Sequence, residues 1–216
     1  MTATIDAHRI VYFPIPKVAS TSLKHVFHVA NTGRAPDEGE EKVKAHGEGY
    51  QSTRFHRVEL GRFDGWTKLA VVRDPIKRII SAYTNRVLQR KVLSEKHVSP
   101  AAAEALDVPL NPSLRQFVFK IDQYRALSAP IRNHTDPTAS FLGPDLGWFD
   151  RIYRLEELDE MVGELSRRTG IALTLPERMV SEKKIDFADL PAGVQRGLRE
   201  YCAADYGFLK DYYPPR

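Results

Sequence analysis

The 216-residue chain is nearly without cysteine, holding Cys202 and no other. A lone thiol excludes an internal disulfide and any zinc site built on paired cysteines, and it suits a reducing compartment. Long apolar runs are also missing: none approaches the ~20 residues that cross a bilayer. The opening Met1–Asp6 lacks the charged-then-apolar order of a secretion signal. A soluble, cytoplasmic protein without a transmembrane segment is therefore expected. Charge of one sign is scarce as well. Lys and Arg number 32 against 28 Asp and Glu, a net charge of +4 spread along the chain. That is too diffuse for a dedicated nucleic-acid module, and no nucleic-acid partner is expected, although a mild excess of positive charge favours a small anionic one.

What is present reads as alternating strands and helices. Arg9–Ile15 is a β-branched and aromatic run broken by Pro14 and Pro16. After it, Leu23, Val26, Phe27 and Ala30 fall on one helical face, with Ser20 or Thr21 as the expected cap. Lys68–Arg73 is a second strand, and Asp74-Pro75 then supplies a helix cap with proline at the first helical position. Asp150–Leu155 predicts a third strand, followed by a helix ending at Gly170. A last helix is read over Leu190–Cys202, with an aromatic tail over Tyr206–Tyr213. The pattern predicts an α/β protein with a parallel sheet covered by helices, folded as one domain over residues 1–216 with an insertion around 88–113. Ligands of such sheets bind at the carboxyl ends of the strands.

Two strand-to-helix turns carry chemistry. The first, Pro16-Lys17-Val18-Ala19-Ser20-Thr21-Ser22, places one lysine and three hydroxyls at a helix start. Helix N-terminal amides, hydroxyl donors and a lysine charge together form an anion cradle. A Walker loop would read G-x-x-x-x-G-K-[ST]; this segment lacks both glycines and carries its lysine before the turn. A capped helix beside a surface lysine explains the same residues. In the second turn, Arg73 closes a strand and Ser81 follows about two helical turns later. Arg73 is suited to bidentate phosphate contact; Asp74 and Pro75 are helix-start chemistry, and Arg78 reads as an exposed helix arginine.

The stretches P-K-V-A-S-T-S and A-V-V-R-D-P-I-K-R-I-I-S-A-Y-T-N-R resemble the two cofactor motifs of sulfotransferases that use 3′-phosphoadenosine-5′-phosphosulfate (PAPS), closest to the carbohydrate sulfotransferase branch. Weaker similarity continues at Asn133-His134 with Pro137, over Asp150–Leu158, and in the tail Tyr201–Tyr212. The resemblance implies a P-loop-like three-layer α/β fold with a central parallel sheet flanked by helices. It implies that Lys17, Val18, Ala19, Ser20, Thr21 and Ser22 hold the 5′-phosphosulfate and that Arg73 and Ser81 hold the 3′-phosphate. Lys183, with Lys184, lies where the family often supplies further cofactor contacts. The products would be 3′,5′-adenosine bisphosphate (PAP) and a sulfate ester of a hydroxyl-bearing acceptor, a saccharide or glycoconjugate. Membrane-anchored members of the family carry a transmembrane segment and lumenal cysteines, and the chain resembles a bacterial-style soluble enzyme instead.

No metal is expected, because Lys17 can neutralise the leaving oxygen. The acceptor hydroxyl needs a base, and histidine titrates in the right range. His46 and His134 lead, with His56 and Glu48 as alternatives and each histidine equally readable as a solvated side chain. Arg86, Arg90 and Lys91 can line an approach for an anionic acceptor or form a solvated face, and Trp66, Trp148 and Phe149 can stack on a ring or fill the core. Two rival functions stay open: a phosphotransferase on the same scaffold, and a binding module without turnover.

Overall fold

A computed structural model describes residues 2–36, 52–176 and 185–216. In chain order its elements are strands β1 (Ala3–Ile5) and β2 (Ile10–Phe13), helix α1 (Ser20–Thr32), strand β3 (Thr67–Val72) and helix α2 (Pro75–Ala82), which continues as a π-helical segment, Tyr83–Gln89. Helices α3 (Pro100–Ala105), α4 (Leu114–Phe119), α5 (Ile121–Leu127), α6 (Ala129–Thr135) and α7 (Ala139–Leu142) follow. Strand β4 (Arg151–Arg154) and helices α8 (Leu158–Thr169) and α9 (Ala192–Phe208) complete the chain. The described residues form two compact units, one of residues 1–73 and 138–179, the other of residues 74–137 and 180–216.

The first unit contains the sheet, ordered β1-β2-β3-β4, and the α/β class expected from the sequence is what it shows. β2, β3 and β4 are parallel neighbours, with Phe13 opposite Ala70 and Ala70 opposite Ile152. The sequence reading missed β1, which is antiparallel to β2. Only the short turn through Asp6–Arg9 joins the two strands, and a connection that short cannot make the crossover a parallel pair requires.

The register sorts the faces of the sheet. Tyr12, Leu69 and Arg151 are cross-strand partners, and Tyr153 lies two residues on from Arg151. On this face α1 packs through Phe27, whose ring lies 5.7 Å from that of Tyr12, and α8 packs through Glu164, which accepts from Arg151 and from the Tyr153 hydroxyl. The opposite face gathers rings around Phe13: Trp148 at 5.2 Å, Phe149 at 5.3 Å, Phe63 at 6.0 Å and Phe55 at 6.2 Å. Gly143 permits this closeness. It sits at φ +79, and a Cβ there would fall 2.5 Å from the Phe55 ring.

The second unit is helical and is organised around a buried charge. Arg78 on α2, read from the sequence as exposed, is only 1% accessible. Its guanidinium donates to Asp205 on α9 at 2.9 Å and to the Asp136 carbonyl at 2.7 Å. The reversal has a simple cause: Ile76, Ile79 and Ile80 turn most of α2 inward, and the acid that receives Arg78 is 127 residues away in sequence. Asp74 caps α2 as expected, accepting from the Lys77 amide and from Arg216. α9 runs on to Phe208, beyond the expected end at Cys202, because Val194, Leu198, Cys202 and Tyr206 continue one buried stripe at four-residue spacing. Burial pushes the Cys202 thiol up to about 12. The segment around 88–113 is ordered: the Tyr83 hydroxyl donates to Pro112 and that of Tyr124 to Pro109.

Removing one partner of a buried pair leaves the other charge uncompensated. Arg78→Ala is expected to cost roughly 3–5 kcal/mol of stability in urea unfolding, and the Arg78→Ala/Asp205→Ala double variant is expected to cost less than the sum of the two single changes.

Candidate functional site

The first motif turns sharply as it leaves the sheet. β2 stops at Phe13, and Lys17 (φ 72) and Ala19 (φ 58) are both left-handed. Each such residue without glycine's freedom costs about 1–2 kcal/mol, and strain of this kind gathers at ligand sites. Ala19, not a hydroxyl residue, is the N-cap of α1, and no side chain caps the helix. The expected cap by Ser20 or Thr21 is therefore corrected: both residues lie inside the helix. The first backbone bond from the new turn is Leu23 N–H to the Ala19 carbonyl at 3.1 Å, so the amides of Ser20, Thr21 and Ser22 precede the helical ladder. The positive end of the helix dipole and three hydroxyls coincide there. Val18 is fully buried and anchors the loop from beneath.

Arg73 follows β3 directly. Because β2 and β3 run parallel, their carboxyl ends share one edge of the sheet, and the Arg73 guanidinium donates to the Lys17 carbonyl at 3.0 Å. The sequence placed these residues in one site, and the first unit brings them into contact. One arginine N–H thus braces the strained turn, and the guanidinium has further donors at its other nitrogens.

The remaining candidates belong to other segments of the chain. Ser81 is half-buried on α2, in the second unit. His134 closes α6 in the same unit. Arg86 places Nε 3.0 Å and a terminal guanidinium nitrogen 2.6 Å from His134 Nε2, while His134 Nδ1 lies 2.7 Å from the Pro130 carbonyl. Arginine only donates, so Nε2 is the acceptor and Nδ1 carries the proton. The nitrogen a base would use is therefore already shared with a cation. Burial, with Arg90 alongside, holds Arg86 below the usual arginine range. His46, Glu48, Lys183 and Lys184 lie outside the described residues. His56 is exposed in a short 3-10 turn, while Phe149 and Trp148 pack around Phe13 and Trp66 packs on Phe63. Among the described residues no group of acids, histidines or cysteine is arranged to hold a metal ion. None of the described helices is long and apolar enough to cross a membrane.

Sequence reading missed Lys24, one turn into α1, whose amine burial lowers to about 8. Nothing in its polar flanks, Leu23 aside, marks it as covered. The unfolded chain keeps that proton up to about 10.5 whereas the folded chain releases it near 8, so the Lys24 contribution to stability rises with pH between these values and is lost as pH falls through 8. Urea midpoints compared between wild type and Lys24→Met across that window should show a shallower rise in the variant.

The sulfotransferase family model matches residues 2–205. Carbohydrate sulfotransferase 11 of Rattus norvegicus is 25% identical, the alignment covering 93% of this chain and 64% of that protein. Carbohydrate sulfotransferase 12 of Mus musculus is 28% identical, with 93% and 57% covered. Carbohydrate sulfotransferase 9 of Homo sapiens is 24% identical, with 72% and 38% covered. The chain thus spans less than two thirds of the length of these relatives. No solved structure matches it. With the braced turn before α1, and a family match running over nearly all of its length, the chain belongs to the sulfotransferase family.

Proposed function

We propose that the chain transfers a sulfuryl group from PAPS to a hydroxyl of a saccharide acceptor, releasing PAP and a sulfate ester. Membership of the sulfotransferase family and similarity to carbohydrate sulfotransferases support the reaction and the acceptor class. The observation that carries the reading is the Arg73 hydrogen bond to the Lys17 carbonyl, beneath an α1 N-terminus with no side-chain cap. That donor set suits an anionic, phosphate-like ligand: helix-start amides, hydroxyls, a lysine and an arginine, with no carboxylate in the turn.

In the reaction the bond between sulfur and the bridging phosphate oxygen breaks as a bond to the acceptor oxygen forms, and the hydroxyl proton passes to a base. Lys17 is assigned to neutralise charge on the departing oxygen, and Lys17–Ser22 to bind the 5′ end of the donor. Arg73, Ser81 and Lys183 are assigned to its 3′-phosphate end. Lysine in this role requires no metal ion. For the base, His46 is preferred to His134, because His134 Nε2 is engaged by Arg86; His134 then serves to hold Arg86. A cytoplasmic location completes the proposal, and the buried thiol of Cys202 is compatible with it.

Calorimetric titration of the purified chain with PAP, ATP and 5′-AMP tests the donor site. Tight binding that depends on the 3′-phosphate is expected, weakened by roughly 2–5 kcal/mol in Arg73→Ala. Lys17→Ala should abolish transfer. Equal affinity for ATP and PAP would sink the assignment and favour a phosphotransferase. The two histidines separate in a pH–rate profile: His46→Ala should remove the limb that reports a base, whereas His134→Gln should lower the rate and leave that limb in place.

A further inference from the structure

We infer that the second unit carries a saccharide-binding cleft built around Phe119, which takes one pyranose ring of an oligosaccharide. The inference rests on the saccharide-acceptor reading for its ligand class and on the following geometry for its place. An open cleft of about 550 Å³ is lined by Glu104, Val108, Arg115, Gln116, Phe119 and Lys120. Phe119, at the end of α4, is 52% exposed, the most exposed large apolar side chain among the described residues. Its ring nonetheless touches α9 on one side. Gly193 and Gly197 of α9 lie against it: a Cβ on Gly197 would fall 3.5 Å from a ring carbon and one on Gly193 4.0 Å. One part of the ring thus packs on α9, and the 52% that remains accessible borders the cleft.

An aromatic surface left in water forgoes the gain of burial, and a partner that covers it recovers that gain. The groups beside the ring point to what the partner is. Glu104 and Arg115 are both exposed, and among the described residues neither side chain has a hydrogen bond or ion pair. One offers paired acceptors and the other a planar fork of donors. Lys120 is different, because it is held by Asp107, itself in a left-handed conformation at φ 51. That pair fixes one wall of the cleft. A pyranose presents an apolar C–H face to stack on a ring and a rim of hydroxyls that both donate and accept, which matches one aromatic surface flanked by an uncommitted carboxylate and an uncommitted guanidinium. A protein helix seeking a docking groove would meet a single ring beside Val108 and Pro109 and would cover two charges without partners, a poorer match.

The test uses the full chain and four oligosaccharide probes: cellohexaose, chitohexaose, a galactan hexamer and a hyaluronan hexasaccharide, the last carrying uronic acid. Binding is read by calorimetry and saturation-transfer NMR. At least one probe should bind wild type, with its ring C–H protons receiving transfer. Phe119→Ala should lower that affinity about tenfold, the loss expected when one aromatic contact is removed, while Phe119→Trp retains it. Arg115→Ala should weaken it as well, and PAP affinity should not change in any of these variants. Failure of all four probes to bind, or equal binding by wild type, Phe119→Ala and Arg115→Ala, overturns the proposal. So does a change from dimer to monomer in Phe119→Ala without an effect on any saccharide, because the ring would then be a protein contact. If PAP fails to bind but the Phe119 dependence of saccharide binding holds, the sulfotransferase reading falls and the cleft stands.

Discussion

The hydrogen bond from Arg73 to the carbonyl of Lys17 ties the end of β3 to the turn between β2 and α1. Parallel pairing of the two strands brings both turns to one edge, but proximity alone would leave a strained loop to relax. Lys17 and Ala19 hold left-handed conformations that neither residue favours, and a donor fixed to the sheet offsets part of that cost. The consequence is electrostatic. The turn leaves the first amides of α1 ahead of the helical ladder, and the Arg73 guanidinium brings positive charge to the same edge. The donor set at this edge is a property of how two strand ends are tied together, more than of any single side chain.

The second unit solves a different problem. Its helices meet around Arg78, and a buried guanidinium is tolerable only because Asp205 and the Asp136 carbonyl receive it. Arg125 extends the same logic at the rim of this network, reaching Asp136, the Thr135 carbonyl and the Tyr201 hydroxyl. These bonds join segments far apart in sequence, so α9 is located by polar contacts as well as by its apolar stripe. Directional bonds of this kind specify one docking register where apolar packing alone would accept several.

The alternation of strands and helices was legible from β-branched runs and helical spacing, and Asp74-Pro75 announced the start of α2 by local chemistry alone. Much of the candidate site was legible for the same reason, since Lys17–Ser22 and Arg73 sit at strand-to-helix turns whose order the sequence displays. Other features depend on distant partners or backbone detail. Ser20 and Thr21 look like caps, yet the backbone turns one residue earlier, at Ala19, and no propensity predicts a left-handed alanine. Arg78 reads as a surface residue until Asp205 is found beside it. β1 is too short for periodicity to register. Phe119 stands off the apolar face that Leu114, Phe117, Val118 and Ile121 make, and Gly193 and Gly197, which its ring touches, come more than seventy residues later.

Cys202 lends the chain a practical property. Its thiol is 2% accessible and burial disfavours the thiolate, the form that reacts with electrophiles. Since no other cysteine exists, the native protein is a chemically silent background for maleimide or nitroxide labels. A cysteine introduced at a chosen surface position would be modified alone, so a fluorescent or spin label could be placed there without first rebuilding the protein.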